Sequence, residues 1–204
     1  MKNRIRVIAL LFVLCFCVAN VRAELITITL SATVDYVDGG SLFGITAGST
    51  VTGSYTYEST TSDTNPFTTV GDYWHYATPA GISLTVGGFQ FKTDPTNVNF
   101  LVSIGNDYPP DDNYLVRSYN NLPLSNDASI GIIDWWLRDN TGTALTSTAL
   151  PVIEPILNQW QINQLDMYCD NSLIRSHVTN VTLVPEPATM FLLGLGGILF
   201  IKRK

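Results

Sequence analysis

The chain has 204 residues, a formal net charge of −6, 46% hydrophobic residues and 14% charged ones. That length suits one domain with a proper core, and the acidic balance argues against a phosphate-backbone partner such as nucleic acid. Its 3 cysteines cannot build a disulfide framework.

At the N-terminus, Lys2, Arg4 and Arg6 precede an apolar run from Val7 to Val18, and Val21-Arg22-Ala23 follows. A cationic start, a short apolar stretch and small residues at the reading positions predict a secretory leader over residues 1–23. Signal peptidase would cut between Ala23 and Glu24. The run is too short for a preferred membrane helix. Cys15 and Cys17 lie inside it, each preceded by a bulky residue (Leu14, Phe16) where a lipoprotein needs a small one. Only Cys169 is left in the exported part, either buried as a small hydrophobe or open to intermolecular pairing. Between the leader and the tail, four cations face sixteen carboxylates, a formal −12. Such a surface keeps an exported protein dispersed and tolerates divalent cations.

The domain, residues 24–183, reads as strands. Residues 25–37 alternate: Ile26, Ile28, Leu30, Ala32, Val34 and Tyr36 on one face, polar residues on the other. Asp38-Gly39-Gly40-Ser41 breaks the pattern, and a second alternation covers 51–58. Residues 59–70 are polar, contain Pro66 and read as a loop. A strand is predicted over 73–77. The clearest hairpin is 82–86, Gly87-Gly88, 89–93, since both glycines can take positive φ. Val98, Phe100, Val102 and Ile104 mark another strand, 106–113 an acidic loop, and 114–119 and 130–138 two more strands. The apolar-polar pattern over 160–169 is imperfect and leaves a bulge or a helical turn open. A last strand covers 173–183. Nine or ten short strands without helical periodicity predict a single antiparallel β-sandwich of jelly-roll or Greek-key style.

Few residues in this domain suggest chemistry. His75 and His177 are its two histidines. Asp72 stands three residues before His75, which on a strand places the two on opposite faces. A Cys169–His pair would need the thiol beside a base. Asp107, Asp111 and Asp112 form the densest oxygen cluster, readable as a solvated turn or as a Ca2+ loop lacking EF-hand spacing. Trp135 and Trp136 must face opposite ways. Ile133, Trp135 and Leu137 form the apolar set, and Trp136 falls on the wet one. Trp136 either packs under a loop or offers a ring to a sugar; Tyr73, Trp74 and Tyr76 form a second aromatic group.

The tail, residues 184–204, carries the sharpest signal. Pro185 and Pro187 bracket Glu186, and neither proline donates a backbone hydrogen bond or favours helix before it. Residues 188–201 carry no charge but include Gly194, Gly196 and Gly197. As a helix they rise about 21 Å, short of a hydrocarbon core about 30 Å thick. Lys202, Arg203 and Lys204 follow, so the positive-inside bias keeps the C-terminus in the cytoplasm and the domain on the far side of the inner membrane. Two readings fit: a plain C-terminal anchor, or a removable one with an exposed cleavage site before a short apolar tail.

The sequence Val184-Pro185-Glu186-Pro187, the glycine-interrupted run and the basic terminus resemble the PEP-CTERM sorting signal of Gram-negative bacteria. The resemblance covers about a tenth of the chain. It implies recognition by exosortase, a membrane enzyme of cysteine transpeptidase-like type, with cleavage near Pro185, Glu186 and Pro187. It also implies secretion toward the periplasm, cell surface or exopolysaccharide matrix. Phe43, Gly48, Val51-Thr52-Gly53, Tyr55-Thr56-Tyr57 and Leu84-Thr85-Val86-Gly87-Gly88 look like the β-rich cargo domain of many such proteins, a resemblance that carries no activity. The expectation is a non-enzymatic structural or interaction component of the envelope or matrix. Two alternatives are a carbohydrate-binding module using Trp136 or the Tyr73–Tyr76 group, and a matrix-sugar hydrolase with two carboxyls roughly 5–10 Å apart.

Overall fold

The computed structural model describes residues 24–108 and 110–185. The leader with Ala23, the Glu186 and Pro187 of the triplet, the apolar run 188–201, and Lys202, Arg203 and Lys204 lie outside the described residues. Among the described residues no helix is long and apolar enough to cross a membrane.

Ten strands follow in chain order: β1 (Leu25–Val37), β2 (Thr50–Glu58), β3 (Val70–His75), β4 (Gly81–Val86), β5 (Phe89–Lys92), β6 (Phe100–Tyr108), β7 (Asp111–Ser118), β8 (Ile130–Asp139), β9 (Ile162–Cys169) and β10 (Ser172–Val184). Two 3-10 turns, Asp38–Gly40 and Leu157–Gln159, are the other regular elements described. Alternation does what the sequence implies in β1, where Ile26, Ile28, Leu30, Ala32 and Val34 are all buried. Tyr36, predicted on that same face, is instead exposed, because the register of β1 against β10 shifts between Val34 and Tyr36. At the predicted hairpin, Gly87 and Gly88 take φ of 58° and 85°, a conformation an L side chain resists.

The expected pair of packed sheets takes a different form. All ten strands hydrogen-bond in one antiparallel sheet of order β3-β6-β7-β8-β9-β10-β1-β2-β4-β5. It curls like a half-barrel until its two ends face each other. The Tyr55 hydroxyl on β2 lies 2.9 Å from the Tyr114 hydroxyl on β7, although those strands are far apart in the sheet order. Beside them Tyr57 meets His75 edge-on at 6.3 Å. The rim is joined by a bridge between Thr93 and Asn121 and by Thr93 Oγ1 to Ser118 Oγ at 2.8 Å. Curling needs the central strands to bend. The 13-residue β1 and β10 do so at irregularities between Ser31 and Ala32 and between Val34 and Tyr36, the extra twist a bulge imparts.

The core lies on the concave side. Trp135 sits in it edge-on to both Tyr55 and Tyr114, at 5.8 and 5.9 Å, with Phe91, Phe100, Ile133, Leu137 and Met167 fully buried. Gly53 is required here: a Cβ at that position would lie 2.1 Å from the Ser83 carbonyl oxygen of β4.

Candidate functional site

Two expectations change once the acidic segment is seen in place. Residues 106–113 do not form an open loop. β6 runs to Tyr108 and β7 starts at Asp111, paired with each other across a tight turn. The carboxylates do not converge on a cation. Asp111 is paired with Arg138. Asp112 is fully buried and accepts the Asp107 N–H at 2.9 Å and the Leu145 N–H at 2.7 Å. Asp107 presents its backbone, at φ 52°, to Asp112. Among the described residues no group of three metal-ligating side chains is assembled, so the Ca2+ reading of Asp107, Asp111 and Asp112 is replaced by a loop-fixing one. Opposite Asp112 on β8, Asp139 binds the Thr141 and Thr143 hydroxyls and the amides of Thr141, Thr143 and Ala144. The Thr141 hydroxyl above all, then the Thr143 amide, holds its carboxyl far below the ordinary value.

The histidines also separate. On β3, burial alternates so that Tyr73 and His75 point inward while Asp72 and Trp74 point outward. His75 accepts the Glu58 N–H at Nε2 (3.2 Å), so its Nδ1–H donates to the Tyr73 carbonyl at 3.1 Å. Burial pushes its pKa down. His177 pairs with Asp35 at the surface. Cys169 is fully buried, and burial pushes its thiol up to about 11. A Cys–His nucleophile pair is not assembled. Tyr73 is likewise withdrawn as a sugar contact: it is buried, and its hydroxyl donates to the Thr148 carbonyl at 2.8 Å.

On the convex face of β3, β6, β7 and β8, the remaining aromatics fall into two groups. Trp74 stacks on Tyr76 (6.1 Å, 3° between planes) and on Tyr119 (5.5 Å), and the Arg117 guanidinium lies 5.9 Å from the Tyr119 centroid. Trp136 belongs to the second group. Register aligns it with Leu115, Ser103 and Asp72 in one row across four strands. The half-buried indole donates to Asn113 Oδ1 at 3.0 Å, which fixes the ring. Trp136, Tyr108 and Phe67 line a groove of about 440 Å³ with Asp72, Ser103 and Asn113. Tyr108 and Phe67 are 53% and 67% exposed.

Phe67 sits on a loop built around Asp72. Asp72 Oδ2 accepts Asn65 Nδ2 at 2.7 Å and Oδ1 accepts the Ser103 hydroxyl at 2.6 Å. Asp63 Oδ1 accepts the amides of both Asn65 and Asp72, and Asn65 Oδ1 accepts the Phe67 amide. Sequence reasoning singled out Trp136 but missed Phe67, Tyr108 and Asp72 as its neighbours.

It also missed the charged row beside the groove. Arg117, Asp134, Asp166 and Arg175 are cross-strand partners in succession. Arg117 grips Asp134 (Nη2–Oδ2 2.6 Å) and Arg175 grips Asp166 through two contacts of 2.9 Å. Two carboxylates directly opposite each other repel; the flanking guanidiniums compensate. Burial still lifts the Asp134 carboxyl above its ordinary value.

The second locus is the end of β10. That strand lies between β9 and β1 and runs to Val184, which pairs with Thr27 two residues beyond the start of β1. A body of antiparallel β structure thus passes, at Pro185, straight into a short terminal address. Residues 183–204 match the family model of the PEP-CTERM protein-sorting motif. The motif marks the chain as a sorting substrate targeted by exosortase and implies export with a membrane-associated C-terminal sorting signal. No curated protein and no solved structure gives a match to the chain.

Proposed function

We propose that this chain is an exported cargo protein cut twice. Signal peptidase removes residues 1–23. The segment 188–201 then holds the chain transiently in the inner membrane, N-terminus out, with Lys202, Arg203 and Lys204 inside. Exosortase cleaves near Pro185, Glu186 and Pro187 and releases the domain of residues 24–183, with the few residues before the cut, as a non-enzymatic structural or interaction component of the envelope or exopolysaccharide matrix. One observation carries this reading: the pairing of Val184 with Thr27. It brings both ends of the folded body to one pole, with Pro185 as the first residue past the sheet, which supports handling of both ends at a single membrane. Proline there ends the ladder, since it has no N–H to donate.

Mass spectrometry of the exported protein tests it. The expected mature form starts at Glu24 and lacks residues 190–204, and Glu186→Ala in an exosortase-bearing host leaves the tail on. Mature protein that retains Lys204 overturns the proposal.

A further inference from the structure

We propose that the convex-face groove between Phe67, Tyr108 and Trp136 binds a stretch of neutral pyranose polysaccharide. The groove's volume of about 440 Å³ falls among small-molecule sites, which span about 300–1,000 Å³ and combine apolar walls with a few placed polar groups. Its main row crosses β3, β6, β7 and β8, a span of about 14 Å at three inter-strand spacings. That shape takes consecutive units of a chain rather than a compact ligand.

The lining chemistry narrows the class. Aromatic faces bind the C–H face of a sugar ring, and carboxylate and amide groups bind its hydroxyls. The groove holds three aromatics, one carboxylate and two asparagine side chains, and no lysine or arginine. An anionic ligand would meet Asp72 with no counter-charge, in a domain with a formal −12. The polar atoms are not used up. Asp72 accepts one hydrogen bond at each oxygen, while a carboxylate has about four lone-pair sites. Asn113 spends Oδ1 on the Trp136 indole, which leaves its amide hydrogens for a ligand, with Nδ2 and the Tyr108 side chain both packed over Gly105.

The groove is also pre-organised. The Asp63–Asn65–Asp72–Ser103 network fixes the loop that carries Phe67, yet that ring is left 67% exposed beside the groove. Tyr108 is likewise held at the β6–β7 turn by pairing with Asp111 while its ring stays outside. Rigid aromatics held ready lower the ordering cost of binding.

The inference rests on the matrix-component reading for the source of the ligand, and the two fail separately: sugar binding says nothing of the C-terminal mass, and the mass nothing of binding. The full chain, purified in a detergent without a sugar headgroup, is titrated calorimetrically with cellohexaose, maltohexaose, xylohexaose and hexagalacturonate. At least one neutral hexasaccharide is expected to bind, and hexagalacturonate at least tenfold more weakly. Tyr108→Ala and Phe67→Ala change exposed rings and preserve the fold. Each, like Trp136→Ala, is expected to weaken binding at least tenfold, while Tyr76→Ala in the neighbouring stack leaves it unchanged. Wild-type protein that binds no neutral probe overturns the proposal, as do groove variants that bind like wild type or equal binding of the polyuronate.

Discussion

Removing single hydroxyls from the Tyr55–Tyr114 contact tests the curl of the sheet. Both residues are essentially inaccessible, with 0% and 1% exposure. Their hydroxyls meet at 2.9 Å, and Tyr55 has no other polar partner there. Burial drives both phenols well above their ordinary pKa, so they stay neutral across the working range. Tyr114→Phe strands the Tyr55 hydroxyl inside the protein, and an unpaired buried group costs about 1–3 kcal/mol. Tyr55→Phe is expected to cost less, because the Tyr57 hydroxyl lies near Tyr114 as a second partner. The double variant removes both polar groups and nothing is left unpaired. Its cost is therefore expected to fall below the sum of the singles by roughly 1–2 kcal/mol. Urea denaturation reads this directly: with m of about 2–3 kcal/mol/M, Tyr114→Phe lowers the midpoint by about 0.3–1.5 M with the slope unchanged. In heat, each kcal/mol is worth about 2–4 °C at this size. Strict additivity, or a Tyr114→Phe cost under about 0.5 kcal/mol, would mean that β2 and β7 do not close on each other.

Two further expectations follow from buried titratable groups. Cys169 is fully buried with its thiol raised to about 11, so at pH 7 a maleimide should leave the native protein without residues 1–23, and so without Cys15 and Cys17, unlabelled and modify it only after denaturant is added; prompt native labelling contradicts the burial. Burial lowers the His75 pKa from 6.5, and its Nε2 accepts the Glu58 amide. A depressed folded pKa means stability is present above the unfolded value and lost as pH falls through the folded one. Denaturation midpoints should thus decline below about pH 6.5, and His75→Gln should flatten that limb; an identical pH profile in the variant would remove His75 as its cause.

Much of the architecture is legible in local pattern. Period-2 alternation marks β1, β2 and the β4–β5 hairpin because each has one face buried, and Gly87-Gly88 announces its own turn. The tail is legible because its signal is wholly local. What escapes is non-local. The acidic segment 106–113 looks like a loop from composition, yet Asp112 is buried once the Leu145 amide, thirty-three residues on, comes to meet it. Tyr73 and Trp74 look alike as aromatics, and only the phase of β3 sends one into the core and the other out. Trp136 could be placed on the wet face from alternation alone. Its companions Phe67, Tyr108 and Asp72 are brought to it by the β3–β6–β7–β8 register, which no local pattern encodes. One sheet rather than two is similarly invisible, since it depends on β1 and β10 bending without breaking their ladder.

The position of β10 between β9 and β1 also sets an order of events. The strand synthesised last occupies the middle of the sheet, so the early strands wait for it with their ladder split in two. Assembly of an exported chain cannot finish until that final segment has crossed, and under the proposed route a tail held in the membrane would keep the segment within reach while it docks. The same placement makes the strand costly to cut: cleavage upstream of Val184 would sever the central stave of the sheet.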